Sequence, residues 1–159
     1  MSDSVMKKIL IISLLCLWGF AASAQYKGQW RAIHAYELTG NNTYFGMNFT
    51  GEYFPFHYVS IAPALTFFIP SQGNARAFDL NARYYFTEKN KQWYGLMGYG
   101  HFTRKEETTP VQTIRYNSLN VGMGGMLKLR DELGINPEIR RQFGSNDWVF
   151  KLGVVYFIN

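Results

Sequence analysis

The sequence predicts an all-β fold in which eight antiparallel strands close into an up-and-down barrel. The last thirteen residues, 147–159, alternate strictly between apolar side chains on one face and mixed side chains on the other, which is the period of a β-strand. Seven earlier segments show the same alternation and are separated by short turns. Aromatic residues make up 18% of the chain, and the apolar residues after the first 24 occur in alternation rather than in one long run. This distribution is typical of a barrel that spans a membrane.

Residues 1–24 are predicted to be a secretory signal peptide and not part of the fold. Two lysines are followed by an apolar run and by an Ala-Ser-Ala cleavage site before Gln25. The single cysteine, Cys16, lies in the apolar run after two leucines, so it does not form a lipidation box. Residues 25–159 are then expected to form one exported, cysteine-free domain whose stability does not depend on disulfides.

The predicted strands are close enough in sequence to form a simple antiparallel meander. Most of the connections are rich in Gly, Asn, Asp or Pro, as tight turns require. The strands are expected near residues 29–38, 44–54, 59–67, 76–86, 92–103, 115–129, 133–143 and 147–159. The charged segment 104–113 is predicted to be the longest loop.

The first two strands form a predicted hairpin around Asn41-Asn42, a pair that suits a tight turn. Centring the turn on this pair places Arg31 directly opposite Glu52. Alternation alone puts both of these side chains on the inward face. Since the two assignments are independent and agree, we expect this register.

The central strands differ in how clearly their faces are defined. The third strand contains Pro63, which cannot donate a ladder hydrogen bond, so we expect a bulge or a local gap there. The fourth and sixth strands alternate cleanly, whereas 92–103 contains three glycines and its faces stay undecided. The seventh strand places Leu133 and Ile135 outward, and a Gly-Ser-Asn-Asp turn leads into the closing strand.

Aromatic side chains gather near both ends of the predicted strands. If both termini lie in the periplasm, as is usual for outer-membrane barrels, one aromatic belt lies at each membrane surface. A water-soluble barrel has no reason to form two such belts. The periplasmic belt is expected to contain Trp30, Tyr53, Tyr58, Tyr84, Phe86, Trp93, Tyr94 and Tyr156. The opposite belt is expected to contain Tyr36, Tyr44, Phe67, Phe78, Phe102, Tyr116, Phe143 and Trp148.

The pattern of the whole mature chain resembles the small eight-stranded outer-membrane barrels, such as the OmpA membrane domain and OmpX-like proteins. Segments 78–86, 93–100 and 140–159 are also similar to short outer-membrane β-barrel domains. The RRQFGS segment and the terminal FIN resemble conjugation-associated barrel proteins. These resemblances imply a monomer in the outer membrane, with outer-membrane lipids and the barrel-assembly machinery as partners.

The predicted interior carries nine charged side chains, five basic and four acidic. An eight-stranded barrel has room only for side chains, so these charges must pair in a confined space. We expect a structural network that closes the interior, and a narrow conduit gated by rearrangement of the pairs is the alternative. The interior polar network is predicted to contain Arg31, Glu37, Glu52, Asp79, Arg83, Lys128, Glu138, Arg140 and Lys151.

No enzymatic function, cofactor or metal site is predicted. The three histidines, His34, His57 and His101, are widely spaced, and the sequence contains no His-x-Ser pair, HExxH or GxSxG motif. The histidines also lack the spacing of metal ligands. His34 is assigned to the apolar face, where a polar ring is costly, so a lipid-modifying barrel enzyme is one alternative.

The other alternative is a soluble exported barrel of the lipocalin type with an apolar ligand inside. It would require the apolar face to point inward, and an eight-stranded interior could not hold so many large rings together with a ligand. Basic residues are scattered, so no nucleic-acid partner is expected. The sequence therefore predicts an integral outer-membrane barrel with a structural role in the envelope.

Overall fold

The computed structural model describes residues 27–40, 44–69, 73–106 and 112–158. They form a closed barrel in which each strand pairs with the next and the last pairs with the first. The strands are β1 (Trp30–Thr39), β2 (Phe45–Tyr53), β3 (Val59–Ile69), β4 (Asn74–Tyr85), β5 (Lys91–Glu106), β6 (Gln112–Lys128), β7 (Leu133–Gln142) and β8 (Asp147–Ile158). The predicted signal peptide and the Asn41-Asn42 turn lie outside the described residues. Within those residues, no helix has the length and apolar character needed to cross a membrane.

The closing strand β8 has the faces that its alternation predicts. Buried and exposed residues alternate along its whole length, and it pairs with β1 from Trp30–Ile158 to Thr39–Val149. Leu152 is 61% exposed although it is apolar, whereas its neighbour Lys151 is 4% exposed although it is charged. A water-soluble fold would show the opposite preference. The apolar face therefore points away from the barrel axis, which contradicts the lipocalin alternative.

Two predictions of strand pairing are confirmed. Arg31 lies opposite Glu52 in the β1–β2 ladder. The β2–β3 ladder reaches Thr50–Ala64 and resumes at Tyr53–Ile61, so it is interrupted beside Pro63. Proline lacks the N–H group that this part of the ladder would need.

A second interruption, at Pro137 in β7, was not predicted. The β6–β7 ladder reaches Gly124–Glu138 and resumes at Leu127–Ile135. Asn136 compensates, because its Nδ2 donates a 2.8 Å hydrogen bond to the carbonyl oxygen of Gly125. The interrupted ladder therefore leaves this buried carbonyl satisfied.

The predicted loop 104–113 is wrong at both of its ends, where the five described residues belong to strands. β5 continues to Glu106 and β6 begins at Gln112, with Arg104 paired to Ile114 and Lys105 paired to Thr113. Once two antiparallel strands are paired, the ladder continues readily through β-branched threonine and isoleucine. The charge of the segment suggested a loop, but pairing determines its structure. Val111 and the residues from Glu107 to Pro110 lie outside the described part.

The chain termini lie at one end of the barrel, the terminal end, which carries Trp30 and Ile158. The opposite end, the far end, carries Thr39 and Asp147. Most predicted belt residues lie on the outer surface, as shown by Trp30 and Tyr53, whose ring centroids are 4.6 Å apart. The prediction is wrong for five residues, because position along the barrel does not determine which face a ring occupies. These five pack inside the barrel or against its interior clusters: Tyr44, Tyr58, Tyr94, Phe102 and Tyr116.

Candidate functional site

Apolar and aromatic side chains form a cluster inside the barrel near each of its two ends. At the far end, Phe68 and Phe102 are buried and the half-buried Tyr44 and Tyr116 pack against them; the rings of Phe102 and Tyr116 stack with centroids 4.6 Å apart. We call this group the far plug. At the terminal end, a larger cluster forms the terminal plug. Its ring-bearing and methionine members are Phe54, Tyr85, Tyr94, Met126 and Phe157.

Arg140 on β7 connects three strands through the lumen. Its Nη2 lies 3.0 Å from Glu37 Oε1 on β1 and 3.1 Å from Asp79 Oδ2 on β4. Its Nη1 lies 3.1 Å from Glu138 Oε1 on its own strand. The planar guanidinium presents several N–H donors, so one arginine can bind three carboxylates in different directions.

Glu138 pairs with three cations, more than any other buried carboxylate among the described residues. Arg83 Nη2 lies 2.7 Å from its Oε2, and Lys151 Nζ lies 3.1 Å from its Oε1. The hydroxyl of Tyr94 donates a further 2.7 Å hydrogen bond to Oε2. These contacts, with that of Arg140, surround a buried charge on all sides, as a low-dielectric interior requires.

Glu52 joins the network to the terminal plug. Arg83 Nη1 lies 3.4 Å from Glu52 Oε1, and Arg31 Nη1 lies 3.8 Å from Glu52 Oε2. Ser60 and Tyr85 each donate a hydroxyl hydrogen bond to the same carboxylate. The register predicted Arg31 as the partner of Glu52, and the structure adds Arg83 as a closer one.

The Arg31 guanidinium is stabilised largely by neutral groups. It donates hydrogen bonds of 2.9 and 3.2 Å to Gln29 Oε1, and its Cζ lies 4.4 Å from the ring centroid of Phe54 and 5.0 Å from that of Phe157. Cation–π contacts of this kind are strongest where water is excluded. Arg31 is therefore part of the terminal plug as well as of the ion-pair network.

Eight of the nine predicted interior charges are buried and joined by these ion pairs, four basic and four acidic. They are Arg31, Glu37, Glu52, Asp79, Arg83, Glu138, Arg140 and Lys151. Lys128 lies at the mouth of the barrel, where its Nζ is 5.6 Å from the ring centroid of Phe157; its side chain is 30% exposed and its ion pair is with Asp131, at 3.3 Å. Lys128 ends β6 at the terminal end, where water reaches it and burial of the charge is unnecessary.

A layer of neutral polar side chains separates the ion pairs from the far plug. Asn120 Nδ2 donates a 2.7 Å hydrogen bond to Asp79 Oδ1, and Asn48 Nδ2 donates a 2.8 Å bond to Thr66 Oγ1. Thr66 in turn donates to Glu37. Sequence reasoning named only charged residues for the interior network, and it assigned Tyr94 to the outer belt. If Gln92 is assigned to the inner face, strand alternation also places Tyr94 on the inner face.

The three histidines occupy separate places on the barrel. His34 lies on the outer face opposite Phe49, with ring centroids 4.8 Å apart. His57 lies at the terminal end, where its Nε2 is 3.1 Å from Glu88 Oε1. His101 lies on the outer face near the far end. No group of three or more His, Cys, Asp or Glu residues in the described part of the chain is placed to hold a metal ion.

The closed eight-stranded ladder and the apolar outer face define a small transmembrane β-barrel, with the fold of OmpA-like and OmpX-like outer-membrane proteins. The N-terminal β-barrel domain of Pseudomonas aeruginosa OprF matches it with a TM-score of 0.73 at 16% sequence identity, covering 84% of this chain and 100% of that chain. The Yersinia pestis attachment invasion locus protein, Ail, matches with a TM-score of 0.61 at 18% identity, covering 83% and 99%. Neisserial surface protein A matches with a TM-score of 0.58 at 16% identity, covering 80% and 94%.

No protein-family model matches the sequence, and no curated protein matches it. At 16–18% identity these similarities show the fold. Because one fold can carry many functions, the function of this chain depends on its own surfaces and interior.

Proposed function

We propose that this chain is an integral outer-membrane β-barrel with a structural role in the envelope, and that ion pairs and plugs keep its interior closed. The observation that carries the proposal is the inverted polarity of the barrel wall. Large apolar side chains cover the outer face, while the four basic and four acidic side chains of the ion-pair network are buried inside, and Asp147 is buried as well. Lipid is the solvent in which such a surface is favourable.

Membrane residence is tested by extraction. Washing isolated outer membranes with urea at high pH removes peripheral proteins and leaves lipid-embedded barrels in the pellet. We expect the mature chain to stay in the pellet and to be released only by detergent. Release by urea alone would contradict the proposal. Outer-membrane lipids and the barrel-assembly machinery are the partners that this function requires.

Closure of the interior is supported by the arrangement of its layers. The far plug, the neutral polar layer, the ion-pair network and the terminal plug fill the lumen in succession, as expected for a barrel with room only for side chains. In a planar lipid bilayer, the purified chain should therefore show no conductance steps. Regular steps that persist after repurification would show that the interior conducts.

A narrow conduit is the second candidate, and the contacts of Glu52 favour it. Arg83 lies 3.4 Å from Glu52 and Arg31 lies 3.8 Å from it, so one carboxylate faces two competing arginines. Exchange of Glu52 between the two arginines would rearrange the ion pairs inside the barrel. If the wild-type chain conducts and Glu52→Gln changes the open fraction, the conduit is supported. If Glu52→Gln leaves any current unchanged, this pair has no gating role.

A further inference from the structure

Three polar side chains form a hydrogen-bonded chain on the outer face near the far end. His101 Nδ1 lies 2.7 Å from Asn117 Oδ1, and His101 Nε2 lies 3.3 Å from Thr103 Oγ1. His101 and Asn117 are exposed, and Thr103 is half-buried. None of the three belongs to the interior network, and a hydrogen-bonded polar group is unexpected on a surface that faces lipid.

Strand geometry brings the three residues together. His101 on β5 lies directly opposite Asn117 on β6, so their side chains share one face and are close neighbours. Thr103 follows two residues after His101 and therefore points to the same side. The sequence supplies a His-x-Thr pair, and the asparagine comes from another strand. The arrangement is thus visible only once the β5–β6 register is known.

The hydrogen bonds fix the roles of the imidazole nitrogens. Asn117 Oδ1 can only accept, so His101 Nδ1 carries the proton and donates it. His101 Nε2 then has its lone pair facing the hydroxyl of Thr103. This is the relation of nucleophile, base and orienting group found in hydrolytic triads, including those whose third member is asparagine.

The position of the group along the barrel points to a substrate. The neighbouring row toward the barrel middle is apolar, with Tyr99 opposite Leu119 and both about half exposed. The row on the other side places Arg76 and Arg115 opposite Thr103, one on each adjacent strand. Thr103 therefore lies at the boundary between an apolar belt and two guanidinium groups. The ester groups of a membrane lipid lie at this depth, with the acyl chains on one side and the phosphate on the other.

We propose that Thr103, His101 and Asn117 form an acyl-ester hydrolase site that acts on phosphate-bearing membrane lipids. Thr103 Oγ attacks the ester carbonyl while His101 Nε2 accepts the hydroxyl proton. The ester C–O bond then breaks, and His101 returns the proton to the leaving alcohol, which leaves an acyl group on Thr103. Water attacks this second ester with His101 again as base, releasing a fatty acid and restoring the hydroxyl. Arg76 and Arg115 bind the lipid phosphate and attract the developing negative charge.

The experiment measures fatty-acid release by the purified mature chain in detergent micelles that contain phosphatidylglycerol or, in a separate arm, lipid A. Release from only one of the two lipids identifies the source of the ester. Thr103→Val and His101→Asn should each reduce the rate by about 10³-fold or more, as loss of a triad member does. Thr103→Ser should retain or raise the rate because it keeps the hydroxyl and removes a hindering methyl group.

Asn117 is a positioning residue and needs a separate readout. Asn117→Ala should lower kcat with little change in KM, and Asn117→Asp should restore kcat because aspartate also accepts from Nδ1. Thr113→Val and His57→Asn are matched controls, since they remove the same side-chain groups elsewhere and should leave the rate unchanged. Each variant is first shown to fold by its heat-dependent gel shift. Absence of release from both lipids by the folded wild-type chain, or equal release by folded Thr103→Val, would overturn the proposal.

Discussion

Arg83 on β4 and Glu138 on β7 meet across the lumen, with 2.7 Å between Arg83 Nη2 and Glu138 Oε2. These two strands are not neighbours in the sheet, so the contact joins opposite parts of the barrel wall. Arg140 and Lys151 contact the same carboxylate. Glu138 is therefore the position at which the interior network is most sensitive to loss of charge.

Replacing Glu138 with glutamine should destabilise the barrel by about 3–5 kcal/mol, because removing one partner leaves buried cations uncompensated. The measurement is the free energy of unfolding in urea with the chain reconstituted in lipid vesicles. Glu132→Gln is the matched control, since Glu132 is exposed and its loss should change stability by less than about 0.5 kcal/mol. Equal effects of the two substitutions would show that the network contributes nothing specific.

The two arginines that face Glu52 should differ in importance. Arg83 contacts both Glu52 and Glu138, whereas Arg31 is held mainly by Gln29 and aromatic rings. We expect Arg83→Met to lower the free energy of unfolding more than Arg31→Met does. Both variants keep a long apolar side chain, so the comparison isolates the charge. A larger effect at Arg31 would mean that the pair predicted from the β1–β2 register is the dominant one.

Gly124 provides the space that Tyr94 occupies inside the barrel. A Cβ atom at Gly124 would lie 2.5 Å from Tyr94 Cζ, so Gly124→Ala must displace the ring that donates to Glu138. Overpacking of this kind costs about 1–3 kcal/mol. Gly51→Ala is the control, because a Cβ there meets nothing within 4 Å. Urea unfolding of both variants checks the prediction, which fails if Gly124→Ala is the less destabilising change.

The turn at the terminal end gives the barrel a modest pH dependence. Hydrogen bonds from the Tyr58 hydroxyl and then from the His57 ring lower the pKa of Glu88 below its ordinary value of 4.5. A carboxyl group with a lowered pKa stabilises the folded state above its ordinary pKa, and this contribution is lost as the pH falls through the folded value. Wild type should therefore exceed Glu88→Gln in stability at pH 7, and the difference should disappear as the pH falls through the lowered pKa of Glu88. A difference that grows on acidification would contradict this sign.

The alternation of residues predicted most of the fold because each strand separates lipid from a polar interior. It placed the closing strand, the Arg31–Glu52 register and eight interior charges. It could not assign the faces of β5, since its glycines carry no side chain to reveal a preference. It also could not pair charges across the lumen: alternation shows that Arg83 and Glu138 face inward, but only the closed barrel brings them together.

Features that depend on the β5–β6 register were missed because alternation along one strand does not show which residue of the next strand lies opposite. The β5–β6 pairing converts both ends of the predicted loop 104–113 into strand, and it sets Asn117 opposite His101. Similarly, the belts were assigned from position along the strands, so five rings of the two interior clusters were counted as belt residues. In each case the sequence carries the residues, and the three-dimensional arrangement decides their partners.

The most direct test of the central claim is the gel mobility of the mature chain, taken from separated outer membranes in mild detergent and run with and without boiling. A closed barrel embedded in lipid resists unfolding by the gel detergent until it is heated. We expect the unboiled sample from the outer-membrane fraction to migrate differently from the boiled one. Identical mobility, with the chain recovered from the soluble periplasm, would contradict the membrane assignment and the orientation of every strand face.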